Sequence, residues 1–367
     1  MINQNHNYKI ALVGDCLANG GAEKVHALLS VYFQEQGMKV HNCIFVDWVS
    51  YDYSGSLFNL GIINPDANFI KRKITRFFAF KKFIKENNVD VVIDFRMRTS
   101  FLQEFLLSTF CYSKNTYYTV HSGILEYYFP KYFWLSKLIY QNKNIVAVSR
   151  AIQKAIIEIG ISKQVDQIYN PIDLRAISQL QTEYLVSEEN YILAVGRMND
   201  DVKQFDKLIR AYATSLLPAK KIKLVLLGEG INRTKYESIA NELGVRDLVV
   251  FEGFVKNPFP YYHKALFTVL SSKNEGFPNV ILESFAVGTP VVSFDCFSGP
   301  NEIVVDKQNG LLLTNQNFDK FTEAMNLFVN DNHLYNHCKQ NTKESLTIFE
   351  IENIGKQWLE LFKNKVS

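Results

Sequence analysis

Residues 271–295 read SSKNEGFPNVILESFAVGTPVVSFD. The run LFTVLSS that ends at Ser272 has the length and β-branching of a buried strand, and PVVSFD, ending at Asp295, is another. Between them a loop carries Glu275, and a helix opening near Asn279 carries Glu283 one turn inside. Strand, loop, helix and strand in so short a span make a crossover unit, so the two strands lie parallel in one sheet. In a sheet of this kind ligands bind outside the carboxyl ends of the strands, which is where Glu275 and the helix start are placed.

The same alternation extends over the whole chain. In the first half the strands are KIALVGD, VHNCIFV, VDVVIDF, TYYTVHS and NIVAVS, and in the second YILAVGRM, KLVLLGEG, LVVFEGFV, LFTVLSS and PVVSFD. After Asn170-Pro171 the stretch from Ile172 to Asn190 is polar and reads as irregular, which places a boundary there. The expected fold class is α/β: two doubly wound Rossmann-like domains, residues 1–171 and 172–345, facing each other across a cleft. In residues 346–367, Ile351, Ile354, Trp358, Leu361 and Phe362 recur at helical spacing, predicting a terminal helix that packs back across the domains.

The bulk numbers agree with two ordinary domains in 367 residues. Hydrophobic residues make up 47% and charged residues 21%, a globular composition. With 40 basic against 37 acidic residues the charge is too balanced for a nucleic-acid binder, and none is expected as a partner. The five cysteines form no C-x-x-C pair, so neither a zinc site nor a disulfide framework is indicated. A reducing, cytoplasmic location fits best, because the chain starts with no signal-like segment and contains no long apolar run.

Several residues border the predicted strand ends. Gly196 and Arg197 end one strand, and Lys203 begins the next helix; a guanidinium and an ammonium there can neutralise a diphosphate, although an isolated pair would more often be solvated surface charge. The free amides of the helix near Asn279 suit the same anion, while a carboxylate suits a pair of hydroxyls. For Glu275 and Glu283 alone, a helix end followed by an exposed glutamate explains as much. Gly20-Gly21 lies between a strand and a helix and lets backbone amides approach a phosphate, or is a plain turn. His121 follows the strand TYYTV, either as a sugar contact or as a ring closing a loop. Residues Lys71 to Lys85 interleave seven basic residues with phenylalanines, which suits a helix lying on anionic lipid and equally an ordinary crossover helix.

Glu275, Gly276, Phe277, Pro278, Asn279 and Glu283, followed by Gly288, Pro290 and Asp295, resemble the E-x(7)-E signature of retaining glycosyltransferases of the GT-B fold, family four. Gly196-Arg197 with Lys203 resembles the G-R-x(5)-K pattern of that family, and N-G-G-A-E its glycine loop. Ser149 and the run Asn170 to Asp173 are further markers, with Pro171 where the family more often has glycine. The resemblance implies that Glu275 lies beside the donor sugar, that Glu283 holds the ribose hydroxyls, and that His121 lines the sugar pocket. It further implies that Gly20, Gly21, Gly196, Arg197, Lys203, Gly276, Phe277, Asn279 and Val280 line the nucleotide-sugar site. The run SGPNEIV, with Gly299, Pro300 and Glu302, resembles members that handle UDP-hexoses or UDP-N-acetylhexosamines in bacterial surface-glycan assembly.

The expected activity is therefore transfer of a hexose or N-acetylhexosamine, with retention, from a nucleotide diphosphate donor, expected to be UDP-linked, to a glycan or lipid-linked glycan acceptor. No cofactor and no metal is expected, since the chain has no D-x-D segment and its acidic residues show no ligand spacing. The protein would work in the cytoplasm or peripherally on the inner face of the plasma membrane. A nucleotide-sugar epimerase on the same architecture, or a catalytically silent sugar-nucleotide-binding subunit, are the rivals; the second would be expected to have lost Arg197, Lys203, Glu275 and Glu283.

Overall fold

The computed structural model describes residues 8–18 and 20–366. The chain divides into two compact units, residues 1–171 together with 351–367, and residues 172–350.

The first unit is built on a seven-stranded parallel sheet. Its strands are β1 (Lys9–Gly14), β2 (Lys39–Ile44), β3 (Ser56–Asn59), β4 (Val91–Asp94), β5 (Thr116–Val120), β6 (Asn144–Ala147) and β7 (Val165–Gln167). They are ordered β3-β2-β1-β4-β5-β6-β7. Strand β1 pairs with β2 on one side and β4 on the other, so the order reverses between β1 and β4. Ile10 to Val13 are wholly buried, because helices cover both faces of a parallel sheet, and this is why these strands read as unbroken apolar runs. The second unit repeats the design in six parallel strands: β8 (Tyr191–Val195), β9 (Lys223–Leu227), β10 (Val249–Gly253), β11 (Thr268–Leu270), β12 (Val291–Asp295) and β13 (Gly310–Thr314). Their order is β10-β9-β8-β11-β12-β13, with the reversal between β8 and β11. Both sheets therefore have the dinucleotide-fold order, in which the crevice at the reversal is the usual ligand position.

All ten strands read from the sequence are present. Three more are not legible there: β3 is a four-residue edge strand, β7 has three residues, and GLLLT of β13 carries no alternation. The stretch from Ile172 to Asn190, read as irregular, contains the helix Leu174–Leu180, started by Asp173, whose carboxylate accepts from the amides of Arg175 and Ala176 at 3.0 Å. The last helix runs Ile351–Val366 rather than from residue 346; residues 344–349 form a separate tight 3₁₀ turn. Its Ile351, Ile354, Trp358 and Phe362 are buried in the core of the first unit with Leu29, Phe33 and Tyr117, and the Tyr117 hydroxyl donates to the carbonyl of Leu361 at 3.2 Å. Half-buried Leu361 packs at the margin of that core.

Candidate active site

In the second unit, Gly196 and Arg197 follow β8, and the loop 271–278 follows β11, so the two loops flank the strand-order reversal. Lys203 lies in the first loop, two residues before the helix Phe205–Thr214 rather than at its start. Its Nζ donates to Glu275 Oε1 at 2.6 Å, joining the loops by a half-buried ion pair. The backbones are joined as well: Ser271 Oγ donates to the carbonyl of Lys203 at 2.7 Å, and the amide of Lys273 to that of Val202 at 2.9 Å. Gly196 is what allows Lys203 to reach across, since a Cβ there would stand 2.9 Å from Lys203 Cγ. Arg197 is exposed and meets no hydrogen-bond or ion-pair partner among the described residues. This unit therefore holds one cation paired with Glu275 and a second directed to solvent beside it.

The helix Asn279–Ala286 begins where the sequence places it, after Pro278. Glu283, 6% exposed, accepts from the hydroxyl of Tyr262 at 2.9 Å. Burial, reinforced by the Glu283 carboxylate, pushes the Tyr262 phenol well above its ordinary range, so it stays a donor and fixes one oxygen of Glu283. The turn before the helix is held from below: Ser298 Oγ donates to the carbonyl of Gly276 at 2.6 Å, and Phe277 packs on Phe349 with centroids 5.4 Å apart. Asn279 and Val280 are half-buried at the helix start. Burial raises the Asp295 carboxyl at the end of β12, with Asn301 opposing the shift. Cys296 beside it is buried, and its thiol is pushed up to about 12 by burial and then by Glu275, so it is no nucleophile.

In the first unit, Gly20 precedes the helix Gly21–Glu35, and Asn19 of the same loop lies outside the described residues. A Cβ on Gly20 would fall 1.9 Å from Glu23 Oε2, so the space kept open by this glycine is filled by the Glu23 carboxylate. The sequence offers this space to a phosphate or to a plain turn, and a glutamate in the third position of a helix can turn back over the electropositive first amides. Gly21 is exposed.

His121 follows β5, with Phe95 and Tyr128 at centroid distances of 5.6 and 6.4 Å. Both ring nitrogens are shielded from solvent, and neither has a partner in hydrogen-bonding geometry, although Asn170 is close enough to favour the charged ring. Burial first, and the Arg98 guanidinium second, pull the imidazole down to about 3, so it is neutral near pH 7 and acts neither as cation nor as base. Ser149 and Asp173, read as family markers, are helix starters: Ser149 Oγ accepts from the amide of Ile152 at 3.2 Å.

A charged cluster at the end of β4 was missed, although Asp94, Arg96 and Arg98 alternate there in the sequence. Arg96, 1% exposed, binds Asp94 Oδ2 at 2.7 Å and Glu104 Oε2 at 3.2 Å, and the hydroxyls of Tyr112 and Tyr140 donate to the same two carboxylates. Arg98, wholly buried, donates to the carbonyls of Asp94, Arg96 and Thr119. Tyr262, Ser271 and Ser298 were missed too, because none carries a local signal; each acts only through a residue distant in sequence.

Two family models match the chain in succession. Residues 19–176 match Glycosyltransferase Family 4, and residues 179–345 match Glycosyl transferases group 1. The chain is 28% identical to the N-acetylgalactosamine-N,N'-diacetylbacillosaminyl-diphospho-undecaprenol 4-alpha-N-acetylgalactosaminyltransferase of Campylobacter jejuni, over 94% of this chain and 96% of that protein. It is 26% identical to a second alpha-1,4-N-acetyl-D-galactosaminyltransferase of that organism, which acts on GalNAc-alpha-(1->4)-GalNAc-alpha-(1->3)-diNAcBac-PP-undecaprenol, over 80% of this chain and 79% of that one. Among solved structures, Anabaena HepE in complex with UDP-glucose superposes with a TM-score of 0.77 at 18% identity, over 97% of this chain and 99% of that one. With the GT-B fold and two matching domain models in the order found here, the chain belongs to the glycosyltransferases.

Proposed function

We propose that the protein transfers a hexose or N-acetylhexosamine, with retention at the anomeric carbon, from a UDP-linked donor to a lipid-linked glycan acceptor in bacterial surface-glycan assembly. The observation that carries the reading is the meeting of Lys203 with Glu275 at the strand-order reversal of the second sheet, beside exposed Arg197. Bond cleavage builds negative charge on the leaving diphosphate, and two cations at this edge can take it up. Glu283, with one oxygen held by Tyr262, accepts from the ribose hydroxyls. Glu275 contacts the donor sugar, and neutral His121 belongs to the first unit's part of the reading as a positioning group rather than a base. Gly276, Phe277, Asn279 and Val280 supply the turn and the first helix amides for the nucleotide.

In the proposed step the bond between the anomeric carbon and the β-phosphate oxygen breaks, and a bond to the acceptor oxygen forms on the same face. The acceptor proton passes to the leaving phosphate oxygen, so no side chain need serve as base, and positioning supplies much of the acceleration. The lipid-linked acceptor is supported by the activities of the two Campylobacter relatives, and the UDP donor by the complex of the Anabaena structure. The test is a panel of UDP-sugars offered with and without an undecaprenyl-diphosphate-linked acceptor, with products read by mass spectrometry and anomeric configuration by NMR. An α-linked product from an α-linked donor is expected. Interconversion of the donor alone would identify an epimerase, and no binding of any sugar nucleotide would identify a silent subunit.

A further inference from the structure

Gln204 follows Lys203 and precedes the helix Phe205–Thr214, and its backbone stands at φ 53° and ψ 41°, in the left-handed region. For a residue with a Cβ this conformation is sterically costly, whereas glycine takes it freely. Among the described non-glycine residues with positive φ, Gln204 is the one that is buried, at 1% exposure. Such a residue persists only where its surroundings over-determine it, and here they come from three loops. Ser271, whose Oγ donates to the carbonyl of Lys203 at 2.7 Å, also grips Gln204. With the Gln204 amide oriented so that each end meets a complementary group, its nitrogen donates to the Ser271 carbonyl at 3.0 Å and its oxygen accepts from Lys207 Nζ at 3.1 Å. The same amide meets that of Gln316 in two contacts of 2.7 and 2.9 Å. Gln316 follows β13 and is left-handed as well, at φ 66°. The loops after β8, β11 and β13 thus converge on one side chain, from the strand-order reversal to the edge of the sheet.

We propose that Gln204 is a positioning residue for Lys203, a proposal that rests on the reading of Lys203 as the cation for the leaving diphosphate. A lysine side chain has much rotamer freedom, and a cation meets developing charge without reorganisation only if it is held in place beforehand. The left-handed turn at Gln204 separates Lys203 from the helix that follows, and Lys203 Nζ reaches Glu275 Oε1 at 2.6 Å across the neighbouring loop. The buried amide locks that turn against Ser271, the residue that also fixes the Lys203 carbonyl. Glycine at this position would keep the turn and lose the lock, which is why a side chain that pays a steric cost has a use here. Buried as it is, Gln204 presents almost no surface to a substrate, so it acts through Lys203.

The experiment compares the parent with Gln204→Gly and with Gln316→Gly, which opens the same amide pair from its other side; glycine suits the backbone at both positions. Lysine labelling by acetic anhydride, read by peptide mass spectrometry, is measured beside UDP-sugar turnover and melting temperature. Both variants should label Lys203 several-fold faster than the parent, while Lys223, half-buried and paired with Glu188 in the same unit, labels as before. In Gln204→Gly, kcat should fall about 10- to 100-fold with the acceptor KM held, the effect of a displaced reacting group. In a Lys203→Ala background the same change should cost nothing further, because residues that act as one unit are not additive. The proposal is overturned if Lys203 labels at the parental rate in both variants, or if Gln204→Gly lowers turnover as much without Lys203 as with it. Faster labelling of Lys203 and Lys223 alike, with a lowered melting temperature, would also overturn it by making the role merely structural. A parent that turns over no UDP-sugar while Lys203 alone labels faster in the variants would count against the proposed function and uphold the positioning.

Discussion

Lys203 and Glu275 are 72 residues apart in sequence and share a 2.6 Å hydrogen bond between Nζ and Oε1, so the cation proposed for the leaving phosphate and the carboxylate proposed for the sugar are each other's partner. A phosphate reaching Lys203 competes with Glu275 for it. This gives the two glutamates opposite expected signatures. Glu275→Gln removes the competing charge, so UDP binding should hold or tighten while turnover falls. Glu283→Gln loses the charge that faces the ribose, and UDP should bind about 10- to 100-fold more weakly, the range for one hydrogen bond to a charged group. Calorimetry with UDP beside initial rates separates the two, and matching profiles would mean the division of roles is wrong.

Arg197 and Lys203 should both be needed for turnover, and divalent metal should not. Alanine at either is expected to cost about 2 to 4 kcal/mol of transition-state stabilisation, roughly 30- to 1000-fold in rate. Because Lys203→Ala also leaves Glu275 unpaired, the double variant Lys203→Ala/Glu275→Gln serves as the folding control. Rates are measured in EDTA; loss of parental activity that magnesium restores would reject the account.

Arg96 bridges two buried carboxylates, Asp94 and Glu104. Burial alone would disfavour its charge, and these two partners more than offset that, holding the guanidinium charged. Arg96→Met leaves both carboxylates without their cation and should destabilise the first unit by about 3 to 5 kcal/mol, the range for breaking a buried pair from one side. Urea unfolding followed by circular dichroism measures it. A change under about 1 kcal/mol would show that water or repacking replaces the guanidinium.

The depressed imidazoles predict an acid sensitivity with a definite sign. His121 titrates at about 3 and His26 at about 4 when folded, each pulled down first by burial, against 6.5 for an ordinary histidine. Below pH 6.5 the unfolded chain binds protons at these positions that the folded chain refuses. Their contribution is therefore intact above about pH 6.5 and is lost as pH falls toward the folded values. His121→Gln should flatten the loss of stability between pH 6.5 and pH 4 relative to the parent. Melting temperatures across that range provide the check, and parallel curves for the two proteins would contradict it.

The sequence by itself determined the architecture and much of the candidate site. Parallel strands buried on both faces must be apolar along their length, so β1, β8 and β12 are legible as runs, and the loops and helix starts after them follow in register. That is why Gly196 and Glu275 are legible after strands, and Lys203 and Glu283 near or inside the helices that follow, from local pattern alone. Edge strands such as β3 lack the apolar run, and the Glu23 carboxylate over Gly20 depends on a rotamer rather than a pattern. Only tertiary structure decided which groups meet. The Lys203–Glu275 pair, Tyr262 on Glu283, and Glu104 turned inward to Arg96 join residues 72, 21 and 8 positions apart. The hydrogen bond acts over about 3 Å of space whatever the distance along the chain, so sheet order and helix docking set those encounters. The same physics decides the exposed face: Leu102, Phe105 and Phe110 of the helix Phe101–Phe110 stand outside while a buried ion cluster occupies the inner side.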